Sequence, residues 1–293
     1  MLIHWGCALG ATFLLAHSFG PTILAQPEPQ QQQRSRRATP NTSSALTPLQ
    51  QEIERERRRL SSSDKEERRD AVMRLGWMKR PESSRAAAVA LGDSSPIVRA
   101  TATRAVLSLP PDEAAALLLP LLADKDEFVR QEAAYALGPT RSRNAIQPLV
   151  ALLLNDKQSG VRGAAAVSLG QIGDESAAAP LAKSLDRRIK GTGFLSRIRR
   201  STSPENEFVR RAAAVSLGQI GSRVAVPALV STLADEKVED DVRREAARAL
   251  GLIGDPSAVP ALKNVLTSRD PYLSRLAFEA LKKIAPSEAM RPT

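Results

Sequence analysis

The sequence predicts an all-α fold: an α-solenoid, a superhelix of about seven short helical pairs. Three observations carry that expectation. One motif returns along most of the 293-residue chain. Apolar content is 42%, mostly Ala and Leu, with only 3% aromatics, and Ala has the highest helix propensity of all residues. Within each motif the apolar positions recur at helical spacing.

The chain opens on an apolar stretch, Leu2 to Ala25, followed by the polar Gln-Pro-Glu-Pro-Gln. An apolar run and a small-residue cut site describe a signal peptide over 1–25. The first residues lack Lys and Arg, while Arg34, Arg36 and Arg37 lie beyond the stretch, an asymmetry unlike that of most exported chains. A cleaved signal, an uncleaved membrane anchor and a mis-assigned start therefore all stay open. The expected location is exported, periplasmic or cell envelope, with membrane association if the segment is retained.

Residues 26–46 are rich in Gln, Pro, Ser and Thr. They bury too little to fold and read as a disordered linker. Thr47-Pro48-Leu49-Gln50 then opens a capping helix over 47–61, with Thr47 as N-cap, Pro48 at the first helical position and Gln50 completing a capping box. Glu54 and Arg58, and Glu52 and Arg55, stand at ion-pair spacing; Leu49, Ile53 and Leu60 form its apolar side. Arg57-Arg58-Arg59 reads as a solvated face.

The solenoid is expected over 62–286 and a flexible tail over 287–293. Its repeat anchors are Glu67, Val98, Val129, Val161, Val209, Val242 and Leu273, spaced by 31, 31, 32, 48, 33 and 31 residues. The segment Ala164-Ala-Ala-Val-Ser-Leu-Gly-Gln-Ile-Gly173 returns as Ala212 to Gly221, which marks structural repetition. Each unit begins with a helix whose apolar stripe is typified by Val129, Ala133, Ala136 and Leu137. That helix is expected to end near Gly138, Gly170, Gly218 or Gly251. A second helix follows, with stripes such as Ile146, Leu149 and Leu153, and with Pro148, Pro180, Pro227 and Pro260 in its first turn. No unit can bury its own stripe, so neighbours must stack around a continuous core.

The recurring Asp, Val-Arg, Ala, Ala-Leu-Gly and Pro-x-Leu resemble the HEAT-repeat superfamily, specifically the short HEAT-like units named from phycobilisome-lyase proteins. The resemblance covers about 64–285. It implies HEAT-like helical pairs in an armadillo-like superhelix. The superfamily contains scaffolds, chromophore lyases and nucleic-acid binders, so fold alone does not choose among them. The HEAT-repeat deoxyhypusine hydroxylases hold iron with His-Glu pairs, and this sequence has no such pair.

The only Cys is Cys7 and the only His are His4 and His17. Once the apolar stretch is removed, thiolate nucleophiles, His bases, disulfides and His or Cys metal ligands are all excluded. No metal, no cofactor and no catalytic residue is expected.

An arginine follows the anchor at Arg99, Arg130, Arg162, Arg210 and Arg243. These arginines are expected to pair with turn carboxylates such as Asp93, Asp126, Asp156, Asp174 and Asp255, forming a ladder along the stack. The aromatics Trp77, Phe128, Tyr135, Phe208, Tyr272 and Phe278 are expected to pack within the repeats. The inner face of the solenoid is expected at Val150 and Ala151, Ala182 and Lys183, Val230 and Ser231, and Lys263 and Asn264, which are small and mostly neutral and suit a peptide or protein partner.

The 48-residue interval holds a basic insertion, 187–204. It carries Arg187, Arg188, Lys190, Arg197, Arg199 and Arg200 and no acid, out of a net charge of +10. Phe194 adds an aromatic, and Gly191 and Gly193 permit a sharp turn. These seven basic and aromatic residues are the candidate binding site, for an acidic protein surface, acidic lipid or other polyanion; nucleic acid becomes a poor partner if the chain is exported. The expected function is a non-catalytic protein-protein interaction scaffold or adaptor. Polyanion binding and a lyase-like or accessory enzyme subunit are the alternatives.

Overall fold

The computed structural model describes residues 46–190 and 202–289, which lie in one compact unit beginning at Leu46. The expected signal and the linker up to residue 45 fall outside the described residues, as do Phe194, Arg197, Arg199, Arg200, Gly191 and Gly193.

Helix α1 (Pro48–Arg59) starts as the sequence requires. Thr47 accepts the Gln50 amide and the Gln50 side chain accepts the Thr47 amide, so two otherwise unpaired N–H groups are satisfied reciprocally. One pairing differs from expectation: Glu54 meets Arg57 at 3.4 Å, one residue earlier than Arg58. Arg59 reaches Glu56 at 2.7 Å and Glu67 at 3.2 Å, which ties the cap to the first repeat.

Six helical pairs follow: α2 (Lys65–Trp77) with α3 (Pro81–Ala88), α4 (Pro96–Ala105) with α5 (Pro111–Leu118), α6 (Glu127–Thr140) with α7 (Ile146–Asn155), α8 (Ser159–Ile172) with α9 (Ala178–Leu185), α10 (Glu207–Ile220) with α11 (Val226–Ala234), and α12 (Asp240–Ile253) with α13 (Val259–Asn264). The seventh unit is the single helix α14 (Pro271–Ile284), after which Pro286–Glu288 form a 3-10 turn. Glu288 pairs with Lys263 at 3.0 Å, so the start of the expected tail is clipped to α13. No helix among the described residues is long and apolar enough to cross a membrane.

Successive first helices stack on one another, and each second helix fills the groove behind its partner. Val129, Ala133, Leu137, Leu149 and Leu153 are fully buried, as are their equivalents Val209, Ala213, Leu217, Leu229 and Leu233. Each such leucine contributes roughly 2 kcal/mol of apolar burial. The core divides into two clusters that meet at α4: Val98 and Ala102 pack toward α2, and Ala100 packs toward the C-terminal repeats.

The glycines correct the sequence reading. Gly138, Gly170, Gly218 and Gly251 lie inside their helices, which continue to Thr140, Ile172, Ile220 and Ile253. Three of these helices end on Gly173, Gly221 and Gly254, at φ +75°, +74° and +73°, a left-handed cap that glycine adopts without penalty. The interior glycines serve packing. A Cβ on Gly251 would stand 2.9 Å from Ala280 Cα, and one on Gly218 would stand 3.0 Å from Ala249 Cα. Bare backbone lets adjacent first helices approach closely.

The recurrent serines of the same motif cross that interface. Ser168 donates to the Ala134 carbonyl at 2.6 Å and Ser216 to the Ala166 carbonyl at 2.8 Å, each from a buried position. A small polar side chain in a helix interface is tolerated when a facing carbonyl takes its proton.

Candidate functional site

The ladder arginines bind in a repeated way. In Arg68, Arg99, Arg130 and Arg162 the guanidinium reaches back to two carbonyls of the turn before its own helix and forward to a carboxylate ahead of the next first helix. Arg99 donates through Nη1 to Asp93 O (2.8 Å) and Ser94 O (3.2 Å), and through Nε and Nη2 to the two oxygens of Asp124, both at 2.8 Å. Arg130 repeats the pattern on Asp124 O and the Asp156 carboxylate. Arg68 does so on Ser62 O and Asp93.

The expected acceptors are corrected accordingly. Asp156 is a ladder acid, Asp93 serves Arg68, and Asp124 takes the place assigned to Asp126. Asp126 is the N-cap of α6 and accepts the Phe128 amide at 2.9 Å. Asp174 and Asp255 cap the turn inside a repeat and pair with Arg143 and Arg223. Two acids in one turn divide the work, because an N-cap carboxylate already faces helix amides.

The Arg68 guanidinium holds the Asp93 carboxyl below the usual carboxylate range. At Asp124 burial pushes upward, and the bonds from Arg99 and the Asp126 amide outweigh it. These pairs tie turn to turn, and their Arg side chains are unavailable as a basic stripe.

At the insertion the ladder is kept by a residue that sequence reasoning missed. Glu205, with no side-chain exposure, accepts Arg162 Nε at 2.9 Å and Arg187 Nη1 at 3.2 Å, and Arg162 Nη2 also binds it. Arg187 donates in addition to the Leu153 carbonyl at 3.1 Å, and the Glu205 amide donates to Arg187 O at 2.9 Å. Above this base, β1 (Arg188–Lys190) pairs antiparallel with β2 (Thr202–Pro204), placing Ile189 opposite Ser203. The insertion is therefore rooted as a hairpin, where a loop was expected. Arg187 is half-buried, and its charge is paired with Glu205. Arg188 is exposed and bonds Thr202. Only the one-residue offset of Glu205 from the edge of the acid-free segment signalled its role.

The aromatics also depart from expectation. Trp77 is 70% exposed and Phe128 is 44% exposed. Both line a groove of about 440 Å³ across α2, α4 and α6, floored by Val72, Gly76, Ala100 and Ala105 and edged by Arg69, Arg104 and Glu132. Arg104 meets Glu132 at 3.0 Å and Arg69 meets Glu66 at 3.2 Å. The floor residues Gly76, Ala100 and Ala105 are small, and the indole stands largely exposed beside them. Tyr272, also exposed, stacks with Arg244 at 5.2 Å instead. On the second helices, Ala151, Lys183, Ser231, Lys263 and Asn264 are exposed, while Val150, Ala182 and Val230 are half-buried.

Comparison with known families decides what kind of repeat this is. The HEAT repeats model matches residues 57–138, 121–192 and 236–292, and the PBS lyase HEAT-like repeat model matches 209–235. The chain belongs to the HEAT-repeat family. Among solved structures, this HEAT-repeat chain is similar to the X-ray structure of YibA of Escherichia coli, with 20% identity, a TM-score of 0.56, and 80% and 81% of the two chains covered. It also resembles the CpcE and CpcF complex of phycocyanin lyase from Nostoc sp. PCC7120, at 23% identity and a TM-score of 0.47 over 87% and 92% of the chains. A third match is human deoxyhypusine hydroxylase in complex with glycerol, at 20% identity and a TM-score of 0.37 over 80% and 96%. At these identities the likeness concerns the fold. No curated protein sequence matches the chain.

Proposed function

We propose that the chain is a non-catalytic scaffold of the cell envelope that holds a protein partner on its HEAT-repeat surface. The supporting observation is Trp77. A large aromatic exposed on a rigid helix, beside a second aromatic and above an apolar floor, has the character of an interface anchor. The groove fits a segment with one apolar face and an acid directed toward Arg69 and Arg104. Burying the indole in such a contact contributes about 2 kcal/mol or more.

A photo-crosslinker placed at Met73, on the groove wall, tests this in native cells. The expected result is one discrete adduct whose yield falls about tenfold or more in a W77A background. An adduct unaffected by W77A, with the helical circular dichroism spectrum retained, overturns the reading. Export rests on Leu2 to Ala25 and the polar segment after it. The expected mature N-terminus is near Gln26; an intact Met1 in a cytosolic fraction overturns that part.

A second reading, polyanion binding, is favoured by the acid-free insertion rooted on Glu205. With Arg187 held at the base, Arg188, Lys190, Phe194, Arg197, Arg199 and Arg200 would carry it. Binding to anionic lipid vesicles should fall steeply with salt and vanish when 188–203 are deleted. Unchanged affinity after the deletion sinks the idea.

A further inference from the structure

Arg68, Arg99, Arg130, Arg162 and Arg210 each hold a carboxylate, at 2.7, 2.8, 2.8, 2.9 and 2.7 Å. Arg243, their equivalent on α12, holds none at that range. It is 8% exposed, its Nε donates to the Leu233 carbonyl at 3.1 Å, and Asp240 Oδ1 stands 3.9 Å away.

The cause lies in the following turn. Asp93, Asp124 and Asp156 each precede the next anchor by five residues and accept the amide two residues further on. Ser268 occupies that position before Leu273. Its hydroxyl accepts the Asp270 amide at 3.2 Å, so the turn is kept, but it brings no carboxylate to Arg243. Asp270 itself faces Arg244, at 2.7 and 3.0 Å.

A cleft of about 1060 Å³ opens at this point, lined by Arg243, Ser268 and Arg269 together with the acids Glu236, Asp240 and Asp270. No fully buried side-chain N or O among the described residues lacks a hydrogen-bond partner. The unbonded edge of the Arg243 guanidinium is therefore the part that reaches the cleft. A planar fork fixed by packing is matched to a two-oxygen acceptor.

We propose that this cleft binds a carboxylate, borne by a polypeptide side chain or free in solution, seated against Arg243 as Asp124 is seated against Arg99. Glu236 and Asp240 select a monoanion over a dianionic phosphate. The site does not rest on the Trp77 groove at the other end of the stack.

The test follows the Arg243 Nε–H resonance of the ¹⁵N-labelled full chain during titration with acetate, with acetyl-Gly-Glu-Gly-amide and with inorganic phosphate. A saturable shift with the carboxylates is expected, with phosphate about tenfold weaker. R243M removes the signal. S268D, which rebuilds the ladder acid from within, abolishes binding while leaving the circular dichroism spectrum unchanged; W77A leaves binding intact. Peptide binding about tenfold tighter than acetate assigns a polypeptide source, and equal affinity assigns a free carboxylate. A shift that does not saturate, that persists in S268D, or that phosphate produces as readily as acetate overturns the proposal.

Discussion

The ring of Phe208 covers Gly163 so closely that a Cβ built on the glycine would lie 2.0 Å from Phe208 Cε1. The contact joins α10 to α8 across the basic insertion, at the longest interval in the repeat. A methyl group at Gly163 must displace the ring. We expect G163A to cost about 1–3 kcal/mol in denaturant unfolding, as overpacking does. F208A should relieve most of that cost, so the double variant is strongly non-additive. Additive losses would show that the ring does not depend on the bare glycine.

The two classes of glycine should respond differently to alanine. At Gly251 the added Cβ would meet the Ala280 backbone at 2.9 Å, and backbone yields little. At Gly221 nothing lies within 4 Å, and only the left-handed φ of +74° opposes a side chain. G251A is expected to lower stability by about 2–3 kcal/mol and G221A by about 1 kcal/mol. G221N should be milder still, because Asn tolerates that conformation. Thermal melts of the three variants check the order.

Glu205 neutralises two arginines, one of them buried. Replacing it with Gln leaves Arg162 without a carboxylate, a loss of about 3 kcal/mol or more. Hydrogen exchange should rise at the amides of β1 and β2 and stay unchanged in α2 to α4. Unchanged protection in the hairpin would mean that the ion pair does not root the insertion.

Acid should weaken the stack in a defined way. Arg68 lowers the Asp93 carboxyl and Arg244 lowers that of Asp270, relative to their ordinary values. A carboxylate depressed in the folded state contributes stability that is present above the unfolded value, near 4, and lost as pH falls through the folded one. Melting temperature should therefore hold through neutral pH and drop below about pH 4. D93N should be less stable at pH 7 and show a shallower acid dependence than wild type.

The helices, their stripes and the α1 cap were legible because each depends on residues within one or two turns: Thr47 with Gln50, or Val129 with Ala133 and Leu137. The arginine ladder was legible as periodicity, and its acceptors only in part. Asp124 and Asp126 are both turn acids, and which one meets Arg99 depends on the direction each faces once the next repeat has docked.

The binding side was less legible. Arg187 reads as a free cation within an acid-free segment until the hairpin brings Glu205 beside it. Trp77 reads as core until α4 presents Gly76 with Ala105 and leaves the indole in solvent.

The sequence by itself determined an all-helical chain of stacked repeats and where the repetition is interrupted, since propensity, capping and apolar period are local properties. Only the tertiary structure decided which glycines cap and which pack, that Glu205 anchors the insertion, and that Asp270 serves Arg244 and leaves Arg243 facing a cleft. The ion pairs among them join residues 18 to 43 positions apart, which no local pattern encodes.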